Sequence, residues 1–292
     1  MGRFNFYFEV KKQLILGAAG IISITFLFIF GRTTELKKAA LTNPAKPQTS
    51  SFSIEKLIDT AKLTLSPSQI LYVSSLEKSV KRGDVQSQQI TAYNSLATFW
   101  KDSGQLFEPY AFYISEAAKL DNSEKNLTFA ARLFLDNLRG EHDEAKLGWE
   151  TREAITLFER AIKLNPGNDD LRIGLGSCYV YGKGRNGDPQ ETMKGIQELL
   201  AVVRKDSNNM KAQLVLAVGG VVSGQYDKAI ERLQKIIAHE PNNFEAIAFL
   251  ADTYAAKGQK EEAIKWYNIL KRIVSNDPRS VKEIDTRIKM LK

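Results

Sequence analysis

One cysteine and two histidines among 292 residues remove several kinds of chemistry at the outset. Cys178 has no second cysteine to bond, so cysteine usage assigns no redox compartment. The chain also lacks the cysteine that a bacterial lipoprotein anchor needs directly after an apolar stretch. Cys178 is expected to be a small buried side chain. Glu141-His142-Asp143-Glu144 is the one cluster of histidine with carboxylates. Adjacent residues on a short turn converge poorly on one ion, and zinc asks for about four donors. His239 stands far away, and no H-E-x-x-H spacing occurs. Neither a G-x-S-x-G elbow nor a Cys/His pair for nucleophilic catalysis is present. The expectation is a chain without metal or cofactor, and not an enzyme. An enzyme with an unrecognised site is the remote alternative.

Long alternating apolar stretches are missing too, so no sheet is expected, and apolar residues recur at helical spacing instead. Charge of one sign does not dominate: 41 Lys and Arg oppose 34 Asp and Glu, a net charge of +7. The basic residues are interleaved with acidic ones on helix faces. That pattern describes solvated helix surface rather than a nucleic-acid footprint. Gly182-Lys183-Gly184-Arg185-Asn186-Gly187 matches G-x-G-x-x-G. A phosphate-binding turn follows a strand, whereas a helix precedes this string, so it reads as an elongated turn.

The chain has one long apolar run, Leu14–Phe30, which carries no charge and is bracketed by Lys11, Lys12 and Arg32. As a helix it spans about 25 Å, at the short limit for a bilayer. A cleavable signal peptide is the rival, but it has a shorter apolar core and a small-x-small site. Here Phe28-Ile29-Phe30 runs straight into Gly31-Arg32. The expectation is therefore an N-terminal tail (1–13), a single transmembrane anchor (14–30) and a linker (31–53) with Pro44, Pro47 and a Thr/Ser run. Flanking basic residues nearly balance, and the short first tail favours the cytoplasm for that end. The protein is placed in the inner (cytoplasmic) membrane with the rest of the chain in the periplasm. The alternative leaves that part cytoplasmic.

From Ile90 to Asp277 one pattern recurs. Leu250, Ala251, Tyr254, Gly258, Ala263 and Tyr267 are preceded, 34 residues earlier, by Leu216, Ala217, Gly224, Ala229 and Leu233. Leu beside a small residue lets two helices approach. The aromatic one turn later fills the gap between units, and Gly ends the first helix by accepting φ > 0. Pro after the second helix, as at Pro166 and Pro241, stops it. Earlier copies carry Leu96, Ala97, Trp100 and Gly104, then Ala130, Ala131 and Phe134, then Leu175, Gly176 and Tyr179. The second copy is 11 residues longer, assigned to a turn around Arg139–Glu150; the third is 7 longer, between Lys183 and Gly195. The units are 90–123, 124–168, 169–209, 210–243 and 244–277. A helix pair (54–89) precedes them, as a cap or a degenerate sixth unit, and a capping helix (278–292) follows.

These residues resemble the tetratricopeptide repeat (TPR), over about two-thirds of the chain, in a bacterial membrane-anchored setting. The third copy, with Leu175-Gly176, Tyr179, Gly182, Gly184 and Asp188, is also similar to a Sel1-like repeat. The resemblance implies an all-α, right-handed superhelical TPR solenoid after a single N-terminal transmembrane helix. It implies a scaffold for protein or peptide partners, an accessory in envelope assembly, secretion or maturation. A self-associating structural protein is the alternative. The partner groove it implies lies on the first helix of each unit. There it brings Asn94, Lys101, Lys125, Arg132, Ile173, Ser177, Lys211, Leu214, Val218, Val221 and Asp252. Asn94, Lys125 and Arg132 partly match a carboxylate clamp known in the family, with the order of Lys and Asn changed. Gly219-Gly220 replaces the bulky aromatic and is expected to leave an apolar notch beside Val218 and Val221. The valines packing only against neighbouring helices is the competing reading.

Overall fold

The computed structural model describes residues 52–82, 85–184 and 189–292. The tail, the anchor 14–30 and nearly all of the linker lie outside the described residues. So do Arg185–Asp188 of the glycine-rich string. Within the described residues no helix is long and apolar enough to cross a membrane, and thirteen α-helices follow one another without a strand.

Two helices lead, α1 (Ile54–Lys62) and α2 (Pro67–Arg82). Ser66 caps α2 through a reciprocal box: its backbone N–H donates to Gln69 Oε1 at 2.9 Å, and Gln69 N–H donates back to Ser66 Oγ at 3.4 Å. Pro67 then occupies the first helical turn. α2 packs on α3 (Gln86–Asp102), whereas α1 runs onto α4 (Phe107–Asp121). Lys62 and Glu77 bridge the two leading helices at 2.6 Å. α3 starts at Gln86, so residues 86–89, assigned above to the leading pair, belong to the first hairpin. Phe52, assigned to the linker, packs its ring on Trp149 with centroids 4.9 Å apart.

Hairpins follow in series: α3 with α4; α5 (Glu124–Leu138) with α6 (Glu144–Leu164); and α7 (Asp169–Cys178) with α8 (Pro189–Lys205). Then come α9 (Met210–Val222) with α10 (Tyr226–His239), and α11 (Phe244–Ala256) with α12 (Lys260–Ile273). The last helix, α13 (Pro278–Leu291), lays Ile284 and Ile288 against Tyr267 and Leu270. Of the aromatics at the gap positions, Trp100, Phe134 and Tyr179 are buried, whereas Tyr254 is half-buried. Ala154, Ala229 and Ala263, at the helix crossings, are fully enclosed. Cys178 is buried as well, and desolvation pushes its thiol pKa up.

Side-chain caps set most hairpin starts. Asn209 and Asn243 accept from the N–H groups of Ala212 and Ala246, at 3.0 and 2.9 Å. Asp143 does the same for α6, accepting from Ala145 and Lys146. Glu141 accepts from the amides of His142 and Asp143, both at 2.7 Å, so the histidine–carboxylate cluster builds a helix start. Gly224 and Gly258 take φ of +72° and +82° where first helices end. In the first hairpin the left-handed residue is Gln105, not Gly104.

The two lengthened units differ from the sequence expectation. The added residues of the second unit do not form a long turn. The turn is 139–143, and the rest extends α6, whose new turns bury Leu147, Trp149 and Glu150. In the third unit, α7 continues into one π-helical turn, Tyr179–Lys183, before α8 begins at Pro189. Burying Tyr181 and Val180 on that extension favours helix over loop.

Candidate partner-binding surface

The first helices α3, α5, α7, α9 and α11 carry the residues that the repeat pattern assigns to a groove, and the structure treats them in three ways. Lys125 and Arg132 lie on α5 two helical turns apart, on one face. Both are exposed, and neither forms an ion pair among the described residues. Asn94 is exposed on α3 and lines a hollow of about 460 Å³ with Thr91, Thr98 and Tyr72. Lys101, on the same helix, leans over the Tyr110 ring of α4, its Nζ 5.8 Å from the centroid. Lys211 is exposed and stands 3.4 Å from Asp170, the residue at the matching position of the preceding hairpin.

A second group is enclosed. Ile173, Ser177 and Val218 are buried, which corrects the expectation that they line an open groove. Ser177 Oγ donates back to the Ile173 carbonyl at 2.8 Å. Val218 packs with Val180, Tyr181 and Val215 in one apolar cluster. Leu214 and Val221 are half-buried at the edge of the next cluster, beside Ala217 and Leu250. Val180 and Tyr181, on the extension of α7, share the first of these clusters with Val218 and Ile173. Gly219 separately lets α8 and α9 approach: a Cβ there would stand 2.5 Å from Ile196 Cδ1 of α8 and 3.5 Å from Val180 Cγ2. The competing reading, valines packed against neighbouring helices, describes Val218.

Asp252 belongs to a third group. Tyr267 Oη donates to it, and Arg287 Nη1 of α13 donates at 2.6 Å, while Arg287 Nη2 holds Glu283 at 2.8 Å. Burial first, and the Asp252 carboxylate second, push the Tyr267 pKa up to about 12. Asp252 is thus taken up by the last helix, on the wall of a cleft of about 310 Å³ that also exposes Phe244.

One feature of this surface had no signal in the repeat pattern. Arg139, just past the end of α5, donates Nη1 to Glu245 Oε1 of α11 at 2.7 Å. Its Nη2 donates to Tyr181 Oη at 3.1 Å, and the guanidinium stacks 4.6 Å from the Tyr181 ring centre. The brace joins the second hairpin to the fifth. Glu245 also lines the Asp252 cleft, so the brace stands at its edge.

Comparison with known proteins agrees with this geometry. Residues 223–282 match the family model of the tetratricopeptide repeat. A tetratricopeptide repeat protein from Parabacteroides merdae has a similar structure. It is 16% identical, with a TM-score of 0.53, over 81% of this chain and 85% of that one. The fold is of tetratricopeptide-repeat type. A thermophilic TPR protein of Thermus thermophilus is likewise similar, 18% identical with a TM-score of 0.50, over 69% of this chain and 98% of that one. No curated protein sequence matches. TPR solenoids bind protein or peptide partners through extended surfaces and are in general scaffolds rather than enzymes.

Proposed function

We propose that this protein is a membrane-tethered TPR scaffold that captures an acidic protein segment on the face of α5. The observation that carries the reading is the pair Lys125 and Arg132, exposed, two turns apart and without an ion-pair partner among the described residues. Their spacing suits a segment that presents carboxylates along one helix face, with Asn94 and the hollow beside it accepting adjoining polar groups. Leu14–Phe30 supplies the single-pass tether, in the inner membrane, with the repeats on the periplasmic side. The resemblance to envelope-assembly, secretion and maturation accessories supports a role in presenting partners at that surface.

A photocrosslinking residue placed at Lys125 in the full chain, in cells, tests this. The expected adduct is with a different protein and is lost in Arg132→Glu, while the same probe at buried Val218 gives none. An adduct with a second copy of the chain instead would favour the self-associating alternative. A terminal reporter that works only outside the cytoplasm checks the orientation; activity at the N-terminal end alone contradicts it.

A further inference from the structure

The second helices α8 and α10 do not meet over α9. Between them lies a cavity of about 450 Å³, within the range of roughly 300–1,000 Å³ typical of ligand sites. Met193, Ile196 and Leu200 of α8 form one wall, and Leu216 and Gly219 of α9 form the floor. Val222 stands at its margin, and both Val222 (45%) and Met193 (50%) are exposed, an uncommon position for large apolar side chains flanking one hollow. Gly219-Gly220 therefore does leave an apolar notch, but it opens between second helices and not onto the α5 side.

Charge marks the same cavity. Arg232 of α10 lines it, half-buried. The guanidinium is held by Gln213, to whose Oε1 it donates. Gln213 is itself 3% exposed and fixed by donating Nε2 to the Ser207 carbonyl at 2.8 Å. Arg139, Arg172 and Arg287 each hold a carboxylate. Arg232 holds none among the described residues, and burial lowers its pKa. One turn earlier, Lys228 is exposed, its Nζ on Gln225 Oε1 at 2.9 Å. A partly desolvated guanidinium anchored at one edge and open at the other is a ready receptor for an anion.

We propose that this cavity is a second, separate docking site, for a peptide in which large apolar side chains alternate with carboxylates. The apolar side chain enters between Met193, Ile196 and Leu200, and the adjoining carboxylate meets Arg232, with Lys228 assisting from the rim. The site does not depend on the α5 face.

Fluorescence anisotropy on the full chain tests it, using three labelled peptides of equal length: alternating Leu and Glu, alternating Leu and Gln, and alternating Ser and Glu. The Leu–Glu peptide is expected to bind about tenfold tighter than either other one. Arg232→Gln should remove that advantage, and Met193→Trp should block the cavity, each with an unchanged melting temperature. The comparison is repeated in the Lys125→Glu, Arg132→Glu double variant, which removes acidic-peptide capture by the α5 face; the advantage of the Leu–Glu peptide over the other two should persist there. An unchanged Leu–Glu advantage in Arg232→Gln, loss of that advantage in the α5 double variant, or no binding of the Leu–Glu peptide would overturn it. So would displacement of nothing but dodecanoate, which would make the cavity a fatty-acid site.

Discussion

Arg139 and Glu245 are 106 residues apart in sequence and meet at 2.7 Å in the fold. Arg139 also lies over Tyr181, so a single guanidinium ties the second hairpin to the third and the fifth. TPR hairpins contact mainly their sequence neighbours. A contact from the second unit to the fifth, past the third and fourth, makes the array less one-dimensional than its sequence pattern implies.

Both partners are partly exposed, so the brace is worth little in isolation. A double-mutant cycle of Arg139→Gln and Glu245→Gln should return a coupling of about 0.5–1 kcal/mol that shrinks at high salt. Thermal melts at low and high salt measure it. A coupling of zero at low salt would mean that the contact does not hold the two hairpins together.

Glu150 makes a pH prediction. It is fully buried; Asn137 Nδ2 donates to its Oε1 at 2.8 Å, and its Oε2 meets no donor among the described residues. Burial pushes its pKa up from 4.5 to about 7, with Glu141 and Glu108 adding to the rise and Asn137 and Lys146 opposing it. A carboxyl that is harder to ionise when folded costs nothing below its unfolded pKa. Stability falls as pH rises from about 4.5 to about 7 and is level above that, a loss on the order of 3 kcal/mol from this group. Glu150→Gln should therefore be more stable than the parent at pH 8 and equal to it at pH 4. Urea titration at the two pH values reads this directly.

Phe52 should matter more than a linker residue would. Its ring rests on Trp149, which in turn meets Phe134 edge-on at 5.3 Å. Phe52→Ala is expected to lower stability by about 1–3 kcal/mol. Lys56→Ala, at an exposed position of α1, serves as the comparison and should change stability by less than about 0.5 kcal/mol.

At the other end, α13 covers the fifth hairpin with Ile284 and Ile288. Ile288→Ala should cost about 2–4 kcal/mol. Its effect should appear first as faster amide exchange in α11 and α12, with α3 and α4 unchanged. Uniform loss of protection along the chain would show instead that the solenoid unfolds as one unit.

Much of the fold was legible because each repeat position carries a local constraint. Leu216 and Leu250 had to be buried, Gly224 and Gly258 had to turn, and Ala229 and Ala263 had to sit at crossings; each depends only on the hairpin it belongs to and the next one. The lengthened second unit was misplaced because helix and turn compete locally. Asp143 as a cap and Leu147 and Trp149 as buried contacts settle that competition, and their burial is a tertiary fact. Ile173, Ser177 and Val218 sat at groove positions by count, yet all three are buried; Ile173 and Val218 share one apolar cluster with Val180 and Tyr181 on the extension of α7, and Ser177 turns its hydroxyl back to the Ile173 carbonyl. The exposed cations at positions 125 and 132 were legible, because a charged side chain two turns from another on one helix face has few places to go.

By itself the sequence determined an array of helical hairpins, where most of them start and stop, and, in the units that carry one, which aromatic sits at the gap. Those features follow from helical periodicity, caps and close packing between neighbours. The tertiary structure alone decided that Arg139 finds Glu245, that Asp252 is claimed by Arg287, and that the Gly219-Gly220 notch opens between α8 and α10. Such contacts depend on the rotation accumulated from one hairpin to the next. That rotation is set by side-chain volumes at every interface together, and no local stretch of sequence records it.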